Sequence, residues 1–200
     1  VTEEFLPELR GPRGVRVYQE MSENDDTVGA MLNAIELLIR NVKWTVRPYE
    51  PGKNEMKLPV QEYQDQENAD FVESCLHDME RPWTDVVAEI LSMLPYGWSL
   101  LETVFKYRRG QEGEGTFRSN HKDNRLGWRK LSIRAQDTLQ RWEIDEHGEI
   151  LGMHQMAPPT YQPTFIPIEK ALLFRTTAKK NNPEGRSILR NAYRPWFMKR

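Results

Sequence analysis

The 200-residue sequence holds one cysteine, Cys75. No disulfide framework can form within the chain, and assembly in a reducing cytoplasm is expected. Cys75 falls on the apolar face of a predicted helix, where an ordinary buried thiol is expected. No apolar run approaches the roughly 20 residues that cross a bilayer. The opening VTEEFLPELRG is acidic and lacks the apolar core of a secretion signal, so neither a membrane partner nor a leader is expected. Histidine is scarce: His77, His121, His147 and His154 are the four. No cysteine or carboxylate pattern around them has metal-ligand spacing, so exposed histidines are expected and no metal or cofactor.

Catalytic signatures are missing as well. Glu73, Glu89 and Glu102 lie on predicted regular elements without the pairing that separates an acid from a base. GQEGEG (110–115) is glycine-rich but lacks the Lys-Ser/Thr of a P-loop, and its two glutamates would repel phosphate. It reads as a flexible hairpin tip. ENDD (23–26) resembles a carboxylate cluster, yet it stands directly before a strong helix, where capping accounts for it. No enzymatic function is expected.

What is present is charge and aromatic surface. Charged residues make up 29% and hydrophobic ones 38%, with six tryptophans, a balance too aromatic for general disorder. The net charge of −2 hides a split: residues 175–200 carry +7 and residues 1–174 carry −9. Such a split fits attraction between parts of an assembly or a basic end facing a polyanion. A solvated basic helix is the plainer alternative.

The periodicities predict an α+β fold, helices first and strands later. Residues 1–24, charged and containing Pro and Gly, read as an extended arm. Asp25 and Asp26 precede an amphipathic helix on which Val28, Met31, Leu32, Ile35, Leu38, Ile39 and Val42 form the stripe. KWTVRP reads as a short strand and 49–66 as a loop. A second helix carries Phe71, Val72, Cys75, Leu76 and Met79. A third opens at RPWTD, with Trp83, Val86, Val87, Ile90, Leu91 and Leu94 as its buried stripe, and ends at Pro95 and Gly97. Strands are predicted at 98–107, at 128–133, as a hairpin of 139–144 and 149–156 turning at DEHG, and at 171–177. The intervening 108–125 reads as a long loop.

The sequence closes on KKNNPEGRSILRNAYRPWFMKR. Asn-Asn-Pro and Gly185 make a turn, Ser187 is placed to cap, and Ile188, Leu189, Ala192, Trp196 and Phe197 recur at helical spacing. The apolar stripe lacks a closing glycine, so the helix is expected to continue into, and be covered by, sequence absent from this chain. Lys179, Lys180, Arg186, Arg190, Arg194, Lys199 and Arg200 are the candidate contacts to DNA or to a neighbouring subunit. NPEGRS next to these cations also has the form of an anion site at a helix start, with a plain capped turn as the simpler reading.

Three stretches in order carry a resemblance: DDTVGAMLNAIELLIRNVKWTV, WTDVVAEILSMLPYGWSLLETVFKY, and IPIEKALLFRTTAKKNNPEGRSILRNAYRPWFMKR. Together they resemble the portal proteins of tailed bacteriophages, in the branch that includes Mu-like phages. The resemblance covers most of the chain from residue 25 onward. It implies a homo-oligomeric ring of about twelve subunits at a capsid vertex. Double-stranded DNA would pass through its channel during packaging and ejection. Terminase, capsid and head–tail adaptor proteins are the implied partners, the virion the implied location, and hydrolysis no part of the role.

Family members run longer, so the chain is expected to be an N-terminal portion, with channel loop and crown beyond Arg200. On that pattern 25–127 is a wing-like region, 128–177 a β-rich wing or clip-like region, and 178–200 the start of a basic helix. Two other readings differ in class: a DNA-binding module of a nucleic-acid-processing enzyme, and a small enzyme built on the His147/His154 hairpin.

Overall fold

The computed structural model describes residues 4–50, 59–177 and 181–199, without the side chains of 59–63 and 116. Among the described residues, six α-helices and six strands follow in the order α1 (Gly11–Asn24), α2 (Asp26–Arg40), α3 (Pro59–His77), α4 (Trp83–Ile90), α5 (Met93–Tyr96), β1 (Trp98–Arg109), β2 (Lys122–Arg134), β3 (Leu139–Ile144), β4 (Ile150–Met156), β5 (Pro163–Pro167), β6 (Ala171–Arg175) and α6 (Tyr193–Lys199). The class is α+β. Two three-stranded sheets have the orders β2-β1-β6 and β3-β4-β5, with antiparallel β1/β6, β3/β4 and β4/β5 pairs.

The chain divides into two compact units. The first comprises residues 1–40, 86–103 and 131–200, the second 41–85 and 104–130. In the first unit, Leu9, Tyr18, Met21, Leu189 and Tyr193 form one buried cluster, flanked by Val17, Val28, Leu32, Tyr96 and Trp196. Trp98, Leu100 and Met153 form another, where the Trp98 and Trp142 rings meet edge to face at 5.1 Å.

In the second unit the described interior holds, beside Ala69 and Cys75, a polar network. Lys106 Nζ donates to the carbonyls of Asp78 (2.5 Å) and Arg118 (2.6 Å) and pairs with the Asp78 carboxylate at 3.2 Å. Asp78 also accepts from Ser119 Oγ and the Asn120 N–H, both at 2.7 Å. Two positions along β1, buried Arg108 donates to Ser74 Oγ at 2.8 Å and pairs with Asp123 at 3.1 Å. The Phe71 ring takes the guanidinium groups of Arg108 and Arg125 at 4.9 and 3.7 Å.

Several expectations need correction. Residues 11–24 are helical, not an extended arm. Pro12 occupies the first turn, where its missing N–H goes unneeded, and Gly14, Tyr18 and Met21 recur on the buried side. KWTVRP forms no strand; Trp44 instead sets its ring edge-on to Trp83 at 6.0 Å. The predicted 49–66 loop is already helical from Pro59, and its residues 51–58 lie outside the described region. The third helix breaks after Ile90, and Pro95 lies inside α5. Strand β2 starts at Lys122, within the predicted loop, whose earlier part holds two short 3-10 turns. Strand β5 was hidden in a proline-rich stretch.

Two local predictions held. The 139–156 hairpin turns where Asp145 Oδ1 accepts from the N–H groups of His147 and Glu149, with Gly148 at φ +88°. Asp25 Oδ1 accepts from the N–H groups of Thr27 and Val28, both at 3.0 Å, and so caps α2. None of the α2 residues is buried, and Leu38 on its apolar stripe is 73% exposed.

Candidate functional site

The two motifs that punctuate the sequence, Tyr96-Gly97 and Asn182-Pro183-Glu184-Gly185-Arg186-Ser187, meet in space within the first unit. Gly97 has φ +91° and ends α5 in the left-handed conformation, its N–H returning to the Met93 carbonyl at 2.7 Å. A Cβ on Gly97 would lie 2.6 Å from the Glu184 carbonyl oxygen. One on Gly185, itself at φ +56°, would lie 2.3 Å from the Gly97 carbonyl oxygen. Each glycine is thus required twice, by its backbone angle and by the backbone facing it. Thr176 completes the junction. Its N–H donates to the Gly97 carbonyl, its hydroxyl lies 3.0 and 2.5 Å from the Gly97 and Arg186 carbonyls, and it accepts from the Arg186 N–H at 3.1 Å.

This junction also occupies four of the N–H groups that an anion site at NPEGRS could use. Glu184 N–H donates to Asn182 Oδ1, Arg186 N–H to Thr176, Leu189 N–H to Ser187 Oγ, and Arg190 N–H to the Ser187 carbonyl. Ser187 is the predicted cap. Beyond it the chain makes a 3-10 turn at Ile188–Asn191 before α6 begins, instead of one continuous helix. Much of the apolar stripe is covered by this chain's own N-terminal part: Leu189 and Tyr193 pack with Tyr18 and Met21 of α1. The expectation that its cover is missing is corrected on that point, although Phe197 and Met198 remain exposed.

The predicted contact residues have different surroundings. Arg190 binds the Glu4 carboxylate through both Nε and Nη2, the latter at 2.7 Å, a fork-to-fork pair. Burial pushes the Glu4 carboxyl up, but the Arg190 guanidinium and the Leu6 N–H outweigh it and hold the group below the usual carboxylate range. Arg186 donates to Asn191 Oδ1 at 2.8 Å. Lys199 comes within 3.9 Å of Asp25 while staying 70% exposed. Arg194 is exposed and has no hydrogen-bond or ion-pair partner among the described residues. Lys179, Lys180 and Arg200 lie outside the described residues. Glu4, and with it the pair to Arg190, was not found by sequence reasoning; the two residues are 186 positions apart and share no local pattern.

Around Arg190 lies a cavity of about 460 Å³ whose lining includes Arg10, Tyr18, Tyr96, Glu184 and Arg186. Burial, with the negative charge of Glu4, pushes the Tyr18 hydroxyl up to about 12. Burial likewise holds Glu184 above the usual carboxylate range.

Elsewhere, His147 is exposed, whereas His154 is mostly enclosed, contrary to expectation. His154 pairs with Glu143 at 2.5 Å and packs on Phe165 with ring centroids 4.8 Å apart. Glu102 pairs with Arg134. No group of three or more His, Cys, Asp or Glu with metal-binding geometry occurs among the described residues. Among the described residues no helix is long and apolar enough to cross a membrane.

The fold and the site therefore define an α+β protein in which the Gly97 and Gly185 turns meet backbone to backbone, with one of its predicted contact arginines already ion-paired within the chain. The family described as the portal protein of Mu bacteriophage matches residues 15–200. The chain belongs to that family and is a bacteriophage portal protein, of a family structural in role and part of the virus particle. No curated protein matches it.

Proposed function

We propose that this chain forms part of the subunit of a portal ring at the capsid vertex, a conduit for genome packaging and ejection that also docks terminase and the head–tail connector. The family match over residues 15–200 carries this reading. The interlocked Gly97–Gly185 junction supports it, because it gives two stretches that underlie the resemblance a shared structural purpose. In this reading 25–127 is wing-like, 128–177 belongs to the wing or the clip, and assembly takes place in the host cytoplasm. A ring subunit buries two different side surfaces against its neighbours, and the exposed Met31 and Leu38 of α2 are available for such burial.

The reader of nucleic acid is the weaker alternative, since the arginine at the centre of its basic segment, Arg190, is occupied by Glu4. Native mass spectrometry of the full-length parent protein, with negative-stain images of the same sample, tests the conduit. The expected result is a closed ring of about a dozen subunits with a central hole. A stable monomer that binds DNA tightly at low salt would instead establish the reader.

A further inference from the structure

We propose that the cleft around Arg190 is a latent site for a backbone phosphate of double-stranded DNA, held closed by the carboxylate of Glu4. The inference goes beyond the conduit reading and rests on contacts within this chain. A guanidinium fork accepts carboxylate and phosphate in the same planar, two-pronged geometry. In this structure the fork of Arg190 is filled by Glu4. The segment carrying Glu4 is braced by its own polar contacts and reaches the rest of the chain through the Glu4–Arg190 pair and the packing of Leu6 and Leu9. Arg10 donates to the carbonyls of Glu4 and Phe5 at 2.7 and 3.3 Å, the Leu6 N–H returns to Glu4 Oε1 at 2.8 Å, and Phe5 is 83% exposed. Leu6 packs only partly against the core, and Leu9 is the first residue of the segment to be buried.

With Glu4 in place the charged groups lining the cleft are Arg10, Arg186 and Arg190 against Glu4 and Glu184. Without it, three arginines face one carboxyl, and the buried Tyr18 lines the same space. Arg194, exposed and without a partner among the described residues, follows four positions later and would extend a phosphate-binding track. The latch has a physical purpose in a conduit: each phosphate that a protein neutralises adds affinity and salt dependence, and a duplex that must slide is retarded by such sites.

The test compares the full-length protein with E4A, E8A and E4A/R190Q, titrating a random-sequence duplex at several salt concentrations. Glu8 is exposed in the same segment, so E8A removes an equal charge without freeing Arg190. E4A is expected to tighten binding severalfold at low salt and to steepen the log–log salt slope by about 1. E8A should do neither, and R190Q should reverse the gain. Should E4A lose its folded circular-dichroism signal, the isosteric E4Q takes its place in the same comparison. Equal gains in E4A and E8A, a gain that survives R190Q, or no gain would each overturn the proposal. So would increased self-association of E4A without added DNA binding, which would mean that the freed arginine takes a carboxylate of another copy. The ring images test the conduit and the titration tests the latch, so either can fail alone.

Discussion

Among the described residues, the two units differ in the chemistry of their most buried side chains. The first encloses Met21, Leu100, Leu101, Met153 and Leu189 almost completely, so its cohesion is apolar burial and close packing. The second encloses Lys106, Arg108, Asp78 and Ser119, each under 6% exposed, and joins them by ion pairs and hydrogen bonds. Deleting a methyl-rich side chain from the first leaves a cavity that its surroundings partly refill. Deleting one partner of a buried pair leaves the other charge without its counter-ion in a place water does not reach freely. The second interior is therefore the more brittle, although its gross stabilisation need not be larger.

Replacing Lys106 breaks the comparison most directly. Lys106→Met strips Asp78 of its cation and leaves the carbonyls of Asp78 and Arg118 without their donor. A loss of about 4 kcal/mol is expected in denaturant unfolding, with Lys106→Met/Asp78→Leu recovering part of it. Met21→Ala in the first unit should cost about 3 kcal/mol. If Lys106→Met costs less than Met21→Ala, the claim of brittleness fails.

Gly185→Ala ranks beside Met21→Ala, at about 3 kcal/mol, combining the left-handed backbone penalty with a Cβ driven into the Gly97 carbonyl. The same change at Gly148, also at positive φ but with nothing within 4 Å, should cost only about 1 kcal/mol. The difference between these two glycines, read as a shift in denaturant midpoint, isolates the backbone contact from the backbone angle. Equal losses would remove the interlock from the account.

Acid should act on both units through the carboxyls of Glu4 and Asp78. At Asp78 burial favours the neutral form, but the Asn120 N–H, Ser119 and Lys106 outweigh it and hold the group below its ordinary value. Glu4 is held low in the same sense. A depressed folded value means that the contribution is fully present above the unfolded value of about 4 and disappears as pH falls through the folded one. Glu184 has the opposite sign: its raised value means that protonation on going down in pH favours the folded state. Thermal unfolding from pH 6 to pH 3 should show a fall that is smaller in Glu4→Gln than in the parent. An identical profile in the variant would remove Glu4 from the acid response.

These contrasts also mark what the sequence made legible. The hairpin at 139–156 and the Asp25 and Ser187 caps were readable because their signals are local: a turn residue, an alternation, an oxygen two or three residues from its N–H. Helix α1 was obscured by Gly-Pro at its start, although its Gly14, Tyr18 and Met21 spacing was present. The Gly97–Gly185 contact and the Glu4–Arg190 pair were illegible because each joins distant segments whose meeting depends on the whole fold. Polar burial in the second unit was missed for a different reason. Lys106 and Arg108 alternate along β1 like solvent-facing residues, and only the acids that neutralise them reveal that they point inward.

Helix α2 supplies the smallest expected effect and the sharpest test of periodicity as a guide to burial. An apolar stripe ordinarily marks a buried face, yet among the described residues Val28 and Leu32 lean on the first unit's core while Met31 and Leu38 face outward. Apolar spacing reports that a face is apolar; it does not say which surface covers it. Leu38→Ser removes a side chain that is 73% exposed, so unfolding of this 200-residue chain should shift by no more than about 0.5 kcal/mol. A loss approaching that of Met21→Ala would mean that the outer stripe of α2 is enclosed within the chain after all. A shift within the expected range leaves that stripe as surface the isolated chain does not need, and assigns its apolar character to something other than the stability of the single subunit.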